Sequence, residues 1–142
     1  MPVLQLNTYL ERVRLIGAIA LVISIVAWWT DLSGLVYECP YCRVQRSVIG
    51  ILGISLMLPT PGHWLVRFFA ATIGFLGAHV AAAQNFMGWR RISVGEYSFH
   101  ERFYIDPFLL SGCALFIIIG LAWLHFLVAP KLEAEEDAES VI

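Results

Sequence analysis

The chain has 142 residues, 59% of them hydrophobic and 14% charged, with a mean hydropathy of +0.75. Soluble domains run near 45–50% apolar and about 25% charged, so an ordinary water-soluble fold is excluded and an integral membrane protein is indicated. The formal net charge of −2 conceals an acidic C-terminus (Glu133, Glu135, Glu136, Asp137, Glu139) and a body too weakly basic for a nucleic-acid binder.

Four long apolar blocks and their connections use the whole length. The expected fold is therefore a single all-α domain over 1–142: a four-transmembrane-helix bundle with short connections and one longer outer loop. Met1 to Arg14 is a short lead carrying Glu11, Arg12 and Arg14. A first span is expected over about 13–29, close to 17 residues and roughly 25 Å. No small-residue cleavage site follows its apolar core, and Trp28-Trp29 closes it at an interface, so it reads as an uncleaved anchor.

Thr30 to Glu38 is a brief link that bends at Ser33-Gly34. The next apolar run, Val44 to Leu58, is too short to cross hydrocarbon roughly 30 Å thick. Starting the helix at Cys39-Pro-Tyr-Cys42 restores a full span over about 39–58 and puts Pro40 at the first helical position, where its missing N–H costs nothing.

Pro59 to Gly62 is a turn between two helices. A third span follows over 64–86, rich in Ala70, Ala71, Gly74, Gly77, Ala78, Ala81 and Ala82. Together with Gly50 and Gly53, these small residues predict close packing of spans two and three as a hairpin. Met87 to Pro107 is the one long connection, with charge clusters at Arg90-Arg91 and His100-Glu101-Arg102 that offer a docking face or simply a solvated one. A fourth span is expected over 108–129, followed by an acidic, disordered tail over 131–142. Both termini then lie on one side and the cysteine motif on the other. Arg12, Arg14, Arg67 and Lys131 fall on the terminal side and Arg43, Arg46, Arg90, Arg91 and Arg102 on the motif side. The count does not decide the orientation and slightly opposes a cytoplasmic N-terminus, which is nonetheless the expectation.

Of the three cysteines, Cys39 and Cys42 form a C-x-x-C pair, which serves as a redox disulfide or as half a zinc site. Zinc needs about four ligands, and only scattered histidines are available to complete the set. At 100° per residue, Cys39, Cys42, Arg43 and Arg46 fall within an arc of about 100° at a helix N-terminus, where the dipole and cations favour a thiolate. Arg46 lies about 10 Å into the span, where an ionised group either snorkels to the interface or serves a ligand dissolved in the bilayer. Cys113 stands alone in the fourth block and reads as a small packing residue.

A first span, a short link, then C-x-x-C-x-x-x-Arg opening the second of four spans resembles the DsbB family of quinone-linked, disulfide-forming membrane proteins, over about 12–129. The resemblance implies Cys42 facing a quinone (ubiquinone or menaquinone), Cys39 exchanging with another disulfide, and Arg46 helping to hold the quinone. It also implies a polar group late in span three, for which His79, Gln84 and Asn85 are the candidates; His79 reads equally as a packed histidine. The implied partner is a thioredoxin-like periplasmic thiol oxidase or other dithiol protein, with membrane lipid around the protein. The implied location is the bacterial inner (cytoplasmic) membrane, multi-pass, with both cysteines on the periplasmic side. The family's second cysteine pair is missing here, because Met87 to Pro107 contains no cysteine. The competing expectation is an accessory subunit of a membrane complex with a structural Cys39–Cys42 disulfide, and a third keeps quinone binding without thiol exchange.

Overall fold

The structure, a computed structural model, describes residues 6–98 and 105–140, and beyond residue 128 only the backbone. Among the described residues the chain is helical throughout, with no strand: α1 (Leu6–Glu11), α2 (Val13–Leu32), α3 (Pro40–Met57), α4 (Trp64–Ser93) and α5 (Pro107–Ser140). Three stretches are long and apolar enough to cross a membrane: Val13–Leu32, Trp64–Ser93 and Pro107–Val128. The outward faces are strongly apolar, with Phe116 82% and Phe75 76% exposed. Such faces suit hydrocarbon and not water. The core lies on the inward stripes, where Leu52, Leu56, Ala81 and Ile118 are fully buried.

Helix boundaries follow local chemistry. α2 runs past the expected end of span one to Leu32, and the chain turns at Gly34 with φ +70°, a conformation glycine adopts without penalty. Cys39 has an extended backbone and caps α3, and Pro40 is the first helical residue, as the span-length argument requires. His63 caps α4 by accepting a hydrogen bond from the Leu65 N–H at 3.3 Å. α4 continues two turns beyond the expected 86, because no breaker intervenes and Arg90 and Arg91 in its last turn complement the helix dipole. Gly95, at φ +74°, then turns the chain away. The long connection is correspondingly shorter than expected, and the His100-Glu101-Arg102 cluster lies outside the described residues.

The tail expected to be disordered from 131 is instead helical as far as Ser140, since Leu, Glu, Ala and Lys in that stretch are all good helix formers.

Close packing also falls differently from the expected α3–α4 hairpin. The tight pairs are α2 with α3 and α4 with α5; α3 also contacts both α4 and α5. At the α2–α3 crossing Gly17 meets Gly53 backbone to backbone: a Cβ on Gly53 would sit 2.7 Å from the Gly17 carbonyl oxygen. Gly50 also faces α2, against Ser24. On α4, Gly77 meets Val48 of α3 as expected, while Gly74 turns to Ala122 of α5. Small residues mark close approach, but a single sequence does not say which neighbour approaches.

Candidate functional site

The first turn of α3 carries polar groups to two opposite neighbours. Cys39, as the cap, takes a hydrogen bond from the Cys42 N–H to its Sγ at 3.3 Å, so the helix N-terminus points at sulfur. Both cysteines are free, and the Cys42 thiol donates to Cys39 Sγ across 2.7 Å. Cys39 is buried and Cys42 half-buried, whereas Cys113, on α5, is exposed.

Toward α4, the pair faces Gln84. Gln84 Nε2 lies 3.6 Å from Cys39 Sγ and 3.5 Å from Cys42 Sγ, while its Oε1 accepts from Gln45 Nε2 at 2.7 Å. Both glutamines are buried. Gln84 is thus brought to the cysteines themselves.

Toward α2, the two arginines converge on Asp31, whose side chain is fully buried. Arg43 Nε donates to Asp31 Oδ2 at 2.7 Å, and its Nη2 reaches Oδ1 at 3.5 Å and Glu38 at 3.7 Å. Arg46 Nη1 stands 3.4 Å from Asp31 Oδ2 and donates to the Ala27 carbonyl at 2.6 Å. Its Nε donates to the Cys42 carbonyl at 3.1 Å, and its guanidinium covers the Trp28 ring at 5.5 Å. The Ser24 hydroxyl donates to the Arg46 carbonyl at 2.6 Å and completes the seam.

The single stripe of two sulfurs and two guanidinium groups holds for the helical residues and fails for Cys39, which is not helical. Gln45, Cys42, Arg46 and Arg43 follow one another round the helix at about 60°, 40° and 60°, so the arc reaches from an amide on α4 to an acid on α2, and Cys42 and Arg46 in its middle share both cavities beside the site. Asp31 and Gln45 were absent from the sequence reading. The available signal was an acid closing an apolar span with two arginines opening the next helix, since an ionised group at that depth calls for a partner.

His79 is not at this site. It is exposed on α4, about 140° round from Gln84, and stacks on Phe75 with ring centroids 6.4 Å apart. Asn85 serves the α4–α5 contact, donating to the Phe108 carbonyl at 3.0 Å and accepting from Trp89 Nε1 at 3.1 Å.

Two adjoining cavities open beside the sulfurs, where α2 and α5 do not pack on each other. One, of about 320 Å³, is walled by Ile23, Ile49, Leu109 and Ile117, with Cys42 and Arg46 at its end and Cys113 on the α5 wall. The other, of about 460 Å³, reaches Leu35, Val36 and Tyr37 of the link and Ile105, and is lined by both cysteines and Arg46. Tyr37 feels the neighbouring sulfurs: partial desolvation, then the proximity of Cys39 and Cys42, push its phenol up to about 12. Just beyond the C-terminal end of α4, the Tyr97 hydroxyl donates to Asp106 Oδ1 at 2.8 Å; desolvation, then this bond, push that phenol up to about 12 as well.

Among the described residues no group of three or more His, Cys, Asp or Glu side chains is arranged to hold a metal. Compared with protein-family models, curated proteins and solved structures, the chain matches none.

Proposed function

We propose that this chain is a membrane thiol–disulfide oxidoreductase that forms a disulfide at Cys39–Cys42 and passes the electrons to a membrane quinone, as its DsbB-like motif implies. The observation that carries the reading is the pair of free thiols, 2.7 Å apart, at the head of an apolar cleft between α2 and α5. A disulfide needs the sulfurs at about 2.05 Å, so closure takes only a small side-chain movement. The cleft suits a quinone, ubiquinone or menaquinone. Its two cavities fall within the size range of small-ligand sites, and their walls are mostly apolar. A bound quinone supplies a two-electron acceptor that leaves as quinol.

The chain's own residues do the rest. One sulfur, as thiolate, is the nucleophile and the other bonds to it to close the disulfide; one S–S bond forms, two S–H bonds break, and the two protons and two electrons would pass to the quinone. Dithiol plus quinone thus gives disulfide plus quinol. Arg46, held by the Ala27 and Cys42 carbonyls and by Asp31, lines both cavities and presents a fixed positive edge to a ligand carbonyl. The disulfide is then reduced by exchange with a dithiol protein, and with no cysteine in the 87–107 connection that exchange takes place at this pair directly. Because Cys39 is buried, the Ser33–Glu38 link must swing aside for a protein thiol to reach it, with Gly34 as the pivot.

In this reading α3, with 18 residues and about 27 Å, is the fourth span. Its two arginines are matched by Asp31 rather than exposed to lipid. The site faces the periplasm of a bacterial inner membrane, the N-terminus faces the cytoplasm, and the dithiol partner is a thioredoxin-like periplasmic thiol oxidase.

The test is quinone reduction by the purified protein in detergent, with a small dithiol as donor. The expected result is quinone loss that disappears in Cys39→Ser and Cys42→Ser, and an apparent quinone KM raised about tenfold or more in Arg46→Leu. Quinone loss that persists in both cysteine variants defeats the proposal.

A further inference from the structure

Gln84 touches both sulfurs of the pair, and its orientation is not free. A primary amide has one acceptor end and one end with two donors. Gln45 Nε2 donates to Gln84 Oε1 at 2.7 Å, which fixes the acceptor end toward α3's second turn. Turning the Gln84 amide over by itself would bring two NH₂ groups face to face, so the two amides are oriented as a pair. In the arrangement observed the donor end points at the cysteines, 3.6 Å from Cys39 Sγ and 3.5 Å from Cys42 Sγ, and the Cys42 thiol also reaches Gln84 Oε1 at 3.9 Å.

The donors around Cys39 Sγ include the Cys42 backbone N–H at 3.3 Å, the Cys42 thiol at 2.7 Å, the Gln84 amide and the Tyr37 hydroxyl. No carboxylate or carbonyl contact competes for that sulfur among the described residues. Gln84 also lies away from the α2–α5 cleft: it lines a separate cavity of about 360 Å³ with Tyr41, Arg91 and Asp106.

We infer that Gln84 is the hydrogen-bond donor that stabilises the thiolate of the Cys39–Cys42 pair, with Cys39 carrying the charge, and that Gln45 is a positioning residue that keeps the Gln84 amide in its donating orientation. The inference rests on the redox reading of the pair but gives Gln84 a role toward sulfur rather than toward quinone. Buried amides are well suited to this. They donate without adding charge, and in a low-dielectric site the bond to an anion is strong.

The test is the pH dependence of iodoacetamide alkylation of the reduced protein in detergent, followed at each cysteine by mass spectrometry, with no quinone present. Alkylation consumes the thiolate, so its pH midpoint reports thiolate stability. In Gln84→Leu the Cys39 midpoint is expected to rise by about one unit, a tenfold lower rate below the midpoint. Gln84→Glu, nearly equal in size and carrying a negative charge, is expected to raise it further. Gln45→Leu is expected to raise it by less than Gln84→Leu. If Gln84→Leu does not fold, Gln84→Glu and Gln45→Leu decide the matter alone. Midpoints that stay within about 0.2 unit of the parent in the folded variants overturn the inference, as does a rise confined to Cys42. An unshifted profile with intact quinone reduction defeats only the Gln84 role; a shifted profile with no quinone reduction defeats only the quinone reading.

Discussion

Two polar clusters flank the first turn of α3, and they are built on opposite plans. On the α2 side, Asp31 and the two arginines form a charged cluster whose acid is fully buried, and Arg46 also holds the Ala27 and Cys42 carbonyls. On the α4 side, Cys39, Cys42, Gln45 and Gln84 form a neutral cluster, joined by longer contacts to sulfur and bordered by cavities. A saturated ionic cluster resists rearrangement, because removing one member strands the others in a low-dielectric setting. A neutral cluster beside open space can rearrange without stranding a charge. The first fixes the helix, and the second leaves the sulfurs available for chemistry.

The comparison is broken most sharply by substitutions that separate chemistry from folding. Cys42→Ala should abolish quinone reduction, by about a thousandfold or more, while lowering stability by about 1 kcal/mol at most; chemical unfolding and the activity assay on one preparation check both. Asp31→Leu should do the reverse. With two guanidinium groups left without their acid, the melting temperature in detergent should fall on the order of 10 °C, while the fraction still folded retains a cysteine pair that oxidises.

A smaller effect belongs to the seam that brings α2 and α3 together. Gly53→Val puts side-chain atoms against the Gly17 carbonyl oxygen, where even a Cβ has only 2.7 Å, and should cost about 1–3 kcal/mol in an unfolding titration. Asp31 and Arg43 should then separate, with Gln84 still seated on the sulfurs. The smallest effect lies just beyond the C-terminal end of α4. The Tyr97 phenol, pushed up to about 12, stays protonated in the folded chain where the unfolded chain ionises near 10. Its contribution is therefore complete below about pH 10 and is lost as pH rises toward 12. Tyr97→Phe should flatten stability against pH across that window, measured by melting temperature at alkaline pH.

How far the sequence reaches is uneven across these clusters. Apolar run length located the helices, and the shortness of the Val44–Leu58 run correctly pulled the start of α3 back to Cys39-Pro40, where cap and proline are found. The angular argument at the motif was sound for residues inside the helix and failed for Cys39, which is a cap with extended backbone. It also could not say what stands opposite each flank. Asp31 and Gln84 meet the motif only through the rotation of α2 and α4 about their own axes, and one sequence holds no record of that rotation. The same limit governed the glycines: Gly50 and Gly53 were read as approaching α4 and in fact approach α2. The continuation of α4 to Ser93 and of α5 to Ser140 follows from helix propensity, which an expectation of loop and disorder underweighted.

The central claim is that the neutral cluster is a redox site served by a membrane quinone. The most direct measurement is alkylation trapping of Cys39 and Cys42 in native membranes first depleted of quinone and then resupplied. The account predicts that both thiols are alkylated in depleted membranes under mild dithiol and become protected as a disulfide when quinone returns, with Cys113 unchanged throughout. A pair whose oxidation state ignores quinone, whether constantly reduced or constantly oxidised, would contradict it.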